Sequence, residues 1–460
     1  MQISVILLIL LYMSLSILSE ASGEIKSFEV YLGFIINTVI WIILFIGEIN
    51  KRAYSFVLMH WLFSIFFLGF APTIQYAVGW FPWIRTRSDN VIIRANLLLL
   101  VWTIAFQLGV NLAQKFNKRV LRKARHRPVI DSQNQFRIEN YLQLIPFLTV
   151  LNVLFTFYRL VSIGFPNILS RGTNTGVSLS ESGTVSMIIT NFMQGLIFFT
   201  GALSIVNIKK HRSVESYIYL VVNMLFILVG YFPTSMARYA AGVIYLGLFI
   251  VCFKKLRANR LFILVFVMVF TIVPPILNAF RIVSFSEVSL VSVVEEVFSK
   301  SVKVWVAYDY DAYTQFTMCL EYTDKYGFEG NHILTVLLFF VPRSIWESKA
   351  LSGSYIIAHK QGTFDNVSFP LPAISYMDGG VALMIIFAIC VGFLMRYTDN
   401  YYWANSNHRV YNYLDVLYPP LVVFVFFLCR GDLHYIYPYF ACYLLASMCI
   451  LLMSRAKIRK

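Results

Sequence analysis

Apolar stretches of bilayer-spanning length follow one another along almost the whole chain. They run at about 2–19, 28–46, 54–78, 91–113, 141–163, 184–206, 215–232, 236–253, 261–280, 377–395, 411–429 and 434–453. Hydrocarbon holds no water to satisfy a backbone N–H or C=O, so a run of about 20 apolar residues is stable there only as a helix bonded within itself. The chain is therefore expected to be an all-α, polytopic integral membrane protein of about twelve transmembrane helices. With 58% of its residues apolar and 13% charged, it cannot be an ordinary soluble multidomain protein. The first run has no basic residue before it and no small-x-small site after it, so it reads as a span rather than a cleaved signal.

A formal charge of +15 would point to nucleic acid in a soluble protein, but in a membrane chain it raises the question of side. Lys51 and Arg52, the cluster from Lys115 to Arg137, Lys209, Lys210 and Arg212, the cluster from Lys254 to Arg260, Arg396, Arg409 and the basic tail fall on alternate short loops. They make up 23 of the 38 Lys and Arg, which by the positive-inside rule puts both termini in the cytoplasm. Nucleic acid is not an expected partner; membrane lipids are. The one long loop, 281–376, then faces away from the cytoplasm and is net acidic. This divides the chain into an N-terminal membrane part (1–280, about nine spans), the extracytoplasmic loop (281–376) and a C-terminal membrane part (377–460, about three spans).

Within that loop, apolar residues recur at helical spacing over 293–320, which predicts an amphipathic helix lying on the outer interface and ended by Gly327 and Gly330. The apolar run 332–342 is about half the length a spanning helix needs, so it is expected to lie in the interface or dip into it. The six cysteines fall mostly in apolar runs, with no CxxC and no His/Cys cluster, and read as small packing residues.

Behind the short apolar run come Pro342-Arg343, Trp346 and Lys349, then a polar segment with His359, Asp365 and two prolines, then Tyr376-Met-Asp378-Gly379-Gly380. This order resembles the large extracytoplasmic loop of Wzy-type O-antigen and capsular polysaccharide repeat-unit polymerases. The resemblance covers Arg238 to Asp432 in spaced pieces. Glu347 and Ala350 stand where the family has prolines, and Ser375 where it has an acid. What it implies is a GT-C-like, metal-independent and cofactor-free glycosyltransferase of the bacterial cytoplasmic membrane, acting on polyprenyl-diphosphate-linked oligosaccharide, with a chain-length regulator protein as a further partner.

Arginines at the outer ends of spans are costly unless paired or lining a wet cavity. Arg85, Arg87, Arg159, Arg238, Arg281, Arg343 and Arg430 are such residues, and Arg238, Arg281, Arg343 and Arg430 also match the resemblance. Snorkelling or a nearby carboxylate, such as Asp432 for Arg430, is the plainer account of any one of them. When a sugar leaves a polyprenyl diphosphate, negative charge grows on the leaving group. Guanidinium groups bind phosphate as forks and can meet that charge without a metal. The candidate diphosphate-binding set is Arg238, Arg281, Arg343, Lys349 and Arg430, with Arg281 and Arg343 also catalytic. Asp309-Tyr-Asp311 has DxD spacing, but on a helix two such residues point apart and would not share an ion. A base for the acceptor hydroxyl must be an outer His or carboxylate: His359, Asp378 or His434, with His359 preferred. Outer aromatic residues, Trp80, Trp83, Tyr308, Tyr310, Tyr313, Trp346, Tyr435 and Tyr437, suit sugar stacking and equally an interfacial belt. The rival from another class is a flippase for lipid-linked oligosaccharide, with arginines at mid-depth. A ligase-like glycan transferase shares the chemistry.

Overall fold

The computed structural model describes residues 27–84, 86–124, 137–163, 184–233, 236–253, 265, 305–361, 367–406 and 410–458. The described residues form helices and no strand, with one isolated bridge between Arg137 and Asn412. In chain order these are α1 (Phe28–Ile49), α2 (Phe56–Val78), α3 (Asp89–Ala124), α4 (Glu139–Leu142), α5 (Ile145–Ile163), α6 (Thr184–Lys210), α7 (Val214–Gly230) and α8, which starts at Arg238–Ala241 and ends at Gly247–Cys252. Beyond residue 305 come α9 (Ala312–Tyr326), α10 (His332–Leu337), α11 (Gly353–Gln361), α12 (Leu371–Asn405), α13 (Leu414–Arg430) and α14 (Leu433–Ile458). Six of them, α1, α2, α3, α6, α12 and α14, are long and apolar enough to cross a membrane; α5, α7 and α8 contain shorter apolar stretches. The chain is a helical membrane protein. The expected span at 2–19, and all but residue 265 of that at 261–280, lie outside the described residues.

Burial sorts the helices. α2 is enclosed on nearly all sides, and α1, α3, α12 and α13 pack around it. α5, α6 and α7 pack on one another and join the rest through α6 against α14. On the outer faces of α5 and α7, Leu154, Phe157, Val161, Ile218, Val221 and Leu225 are exposed apolar side chains, as lipid contact requires. α3 and α12 approach most closely. A Cβ on Gly109 would sit 2.1 Å from the Ile389 carbonyl oxygen, and one on Gly392 2.3 Å from that of Phe106. Small residues let membrane helices meet backbone to backbone. Gly392→Val should therefore force α3 and α12 apart and cost about 1–3 kcal/mol. The check is a lowered thermal midpoint of the purified protein in detergent; an unchanged midpoint would contradict the packing.

Three expectations are corrected. Within the described part of the expected loop helix, 305–311 are not α-helical and the helix begins at Ala312. It is buried against α3 and α12 rather than laid on an interface, because its Thr314, Gln315, Thr317 and Thr323 sit inside. Residues 293–304 lie outside the described ones, and Gly327 does end the helix, at φ 85°. The span expected at 377–395 begins at Leu371 and reaches Asn405, broken at Gly379 and Gly380. Gly380 has φ 60° and ψ −151°, a conformation open to glycine and strained for other residues. Arg396, expected on a cytoplasmic loop, is buried in α12 with a guanidinium nitrogen 2.5 Å from Glu48 Oε1. Beside it Asp399 accepts the Phe56 and Val57 amides and the Tyr418 hydroxyl, so this end of the bundle is closed by internal polar bonds.

Candidate functional site

At the other end of the bundle, the last turn of α13 and the first turns of α12 and α14 meet α9, α10 and α11. Gly330 and Asn331 lead into α10, whose first residue His332 is wholly buried. The break at Gly379 leaves Asp378 one residue before the kink, its carboxylate facing the start of α10. Asp378 Oδ1 accepts from the His332 amide at 2.9 Å and contacts the His332 Nδ1 at 2.6 Å; Oδ2 accepts from the Ile333 amide at 2.8 Å. One carboxylate thus caps α10 from outside it and orients its histidine.

The same arrangement recurs beside it. Asp432, at the head of α14, accepts from the His434 amide at 2.9 Å and contacts the His434 Nδ1 at 3.2 Å through Oδ1, and accepts from the Ser354 amide at 3.0 Å through Oδ2. Burial acts to raise the Asp432 carboxyl, but the bonds from His434 and the Ser354 amide outweigh it and hold it below the usual range. The His332 and His434 rings lie edge to face, centroids 5.8 Å apart. A carboxylate only accepts, so in each neutral imidazole the proton sits on Nδ1 and the lone pair on Nε2. Both Nε2 atoms are buried with no partner among the described residues. This is the orienting logic of a carboxylate behind a histidine base. His332 is sealed; the His434 side chain is 13% exposed, at atoms other than its Nε2.

Of the expected site residues, His434 and Asp378 lie in this cluster, Asp378 as the holder of His332. His359 does not join the pairs through any bond: it is exposed in the last turn of α11 and stacked on Tyr355 at 5.4 Å. Lys349 turns inward, its Nζ bonding the carbonyls of Phe339 at 2.9 Å and Val341 at 2.8 Å, which would otherwise be bare at the end of α10. Burial, and then Arg343 nearby, push its ammonium below the ordinary lysine range. Arg343 is exposed and braces the same turn, donating to the carbonyls of Lys349 at 2.5 Å and Ala350 at 2.9 Å. Arg430 does not pair with Asp432. It donates to the Asp309 carbonyl at 3.0 Å and stands 3.8 Å from Asp309 Oδ1 and 4.0 Å from Asp311 Oδ1. Asp309 and Asp311 therefore face one guanidinium, because they precede α9 in a turn over Tyr308–Tyr310 instead of standing on a helix. Arg87 is buried against Glu321, Arg94 bonds Asp324 and Tyr376, and Arg159 donates to the Gly230 carbonyl. Arg238 opens α8, with its side chain outside the described residues; Arg85 and Arg281 lie outside them altogether.

His332 escaped the sequence reading. In one dimension it opens an apolar run, and its partner is 46 residues away. The available signal was a histidine directly after Gly330-Asn331, where a short helix starts. Among the described residues no group of three His, Cys, Asp or Glu could hold a metal ion. No family model, no curated protein and no solved structure matches this chain.

Proposed function

We propose that the chain is a GT-C-like membrane glycosyltransferase that polymerises oligosaccharide repeat units, as its resemblance to Wzy-type polymerases implies. The observation that carries this reading is the pair of carboxylate-held histidines, Asp378–His332 and Asp432–His434, at the end of the bundle that also bears Arg343 and Arg430. On the positive-inside reading that end faces away from the cytoplasm, where a translocated lipid-linked substrate would be met. Arg87, Arg94, Arg343 and Arg430 belong to helix ends and loops rather than to mid-helix positions, which favours a transferase over a flippase.

The acceptor hydroxyl at the non-reducing end of one lipid-linked repeat unit gives its proton to His434 Nε2. Its oxygen attacks the anomeric carbon of the chain carried on another polyprenyl diphosphate. The carbon–oxygen bond to the diphosphate breaks and the electron pair leaves with it, meeting guanidinium groups already in position. Arg343, with Arg238 and Arg281, supplies that charge. Lys349 holds the Arg343 turn in shape rather than binding phosphate, since its ammonium is engaged by main-chain carbonyls.

The test is polymer formation by the purified protein from lipid-linked repeat units isolated from host cells that lack this chain. A ladder of extended glycans is expected, and unchanged repeat units with folded protein would refute the assignment. Because the leaving group is stabilised by fixed guanidinium groups, the ladder should persist in excess EDTA. Loss of the ladder in EDTA, restored by a divalent cation, would return Asp309 and Asp311 to consideration as metal ligands.

A further inference from the structure

The sequence leaves open whether the short apolar run 332–342 rests on the membrane interface or enters it. In the folded chain α10 divides its side chains by face. His332, Thr335 and Val336 are buried against the bundle, while Leu334, Leu337 and Phe340 are each about half exposed and Ile345 is 76% exposed. No residue from Ile333 to Pro342 is charged, and the one polar side chain among them, Thr335, turns inward to accept from the Ala350 amide at 3.1 Å. Every side chain that this stretch shows to its surroundings is apolar.

The main chain of the same segment is shielded as well. α10 ends at Leu337, and the carbonyls of Leu338, Phe339 and Val341 beyond it all meet one ammonium, Lys349 Nζ, at 3.5, 2.9 and 2.8 Å. An ammonium has three donors, and here all three are engaged by main chain. Arg343 in turn meets the carbonyls of Lys349 and Ala350. In water such carbonyls are hydrated and a lysine extends into solvent; acyl chains solvate no carbonyl and require internal partners of this kind.

α10 also lies next to lipid-facing surface. It packs on α12 and α14 near their starts, both long and apolar enough to cross a membrane, and the rings of Phe339 and Tyr437 are 5.9 Å apart. Val381, just after Asp378, and Tyr435, just before Tyr437, are the first large apolar side chains that those two helices expose.

We infer that the segment from Leu334 to Ile345 is a re-entrant wedge inserted among the acyl chains of the leaflet at this end of the bundle. Leu334, Leu337, Phe340 and Ile345 sit below the headgroups, and the exposed Arg343 lies among their phosphates. Insertion stands apart from the polymerase reading. What rests on that reading is the use of the wedge, which is to hold Arg343 and the Asp432–His434 pair at the depth where the diphosphate of a lipid-linked substrate lies.

The experiment is a spin-label depth measurement in phospholipid nanodiscs that each hold one copy of the chain. Cys252, Cys390 and Cys449, the free cysteines that are not buried, are replaced by alanine, and a nitroxide is placed on Leu337→Cys or on Phe340→Cys, in the middle of the wedge. Leu154→Cys on the outer face of α5 is the lipid reference, and Lys325→Cys, exposed at the end of α9, is the aqueous one. Both wedge labels should be relaxed more by oxygen than by a water-soluble nickel chelate, as at Leu154, and report a depth of about 5–10 Å into the headgroup–acyl boundary. Nickel-dominated relaxation at either site, as at Lys325, overturns the wedge. So does shielding from both reagents, which would mean that another segment of the chain covers this face. If one labelled variant fails to fold, the other decides alone. Polymer formed by a protein whose labels face water would refute the wedge alone; labels at lipid depth in a protein that forms no polymer would refute the polymerase reading alone.

Discussion

Replacing His434 by glutamine should lower chain extension by about 10²–10⁴-fold, the range a positioned general base contributes. The variant protein should still insert and fold, because glutamine can donate to Asp432 and the carboxylate keeps its bonds to the His434 and Ser354 amides. Asp432→Asn should fall in the same range by a different route. An amide in place of the carboxylate no longer demands a proton on Nδ1, and it leaves the Ser354 amide and the start of α14 less well held. The measurement is the initial rate of extension by purified variants, with tryptophan fluorescence melting as the folding control. His359→Gln should change the rate little, since His359 is exposed and stacked on Tyr355, with no carboxylate behind it. Wild-type rates from His434→Gln together with a collapse in His359→Gln would reverse the assignment of the base.

Arg343→Lys and Arg281→Lys should each cut chain extension by about 10²–10³-fold, equivalent to about 2.7–4 kcal/mol of lost stabilisation of developing charge. Lysine keeps the charge but not the two-pronged geometry. At Arg343 the geometry has a second use, since its two terminal nitrogens bond adjacent carbonyls and shape the turn that carries it. The readout is a gel of surface glycan from cells carrying each variant, with membrane protein level measured alongside. Single lipid-linked repeat units should accumulate at the outer face. Full-length ladders from both variants would remove these arginines from the diphosphate site and shift the role towards Arg238.

Arg430 is the instructive contrast among the candidates. Its depth at the end of a span marked it for attention, and the partner nearest in sequence, Asp432, was the natural neutraliser. In the folded chain Asp432 is occupied by His434 and Ser354, and Arg430 is matched by Asp309 and Asp311, more than a hundred residues earlier. Lys349 shows the same limit: its place in a motif marked it, but the carbonyls it binds become available only once α10 ends where it does.

The sequence alone determined that the chain is a helical membrane protein. Bilayer-length apolarity is a local property, and hydrocarbon leaves a backbone no alternative to helix. It also marked 281–376 as the polar interruption and Asp378-Gly379-Gly380 as a special point just after it. Only the tertiary structure decided that α12 breaks at those glycines and turns Asp378 onto His332. The same holds for the seating of Asp432 on the Ser354 amide and the burial of α9 instead of its lying on a surface. Each depends on which helix ends meet, and residues 46 or 121 apart leave no periodic trace of that meeting in one dimension.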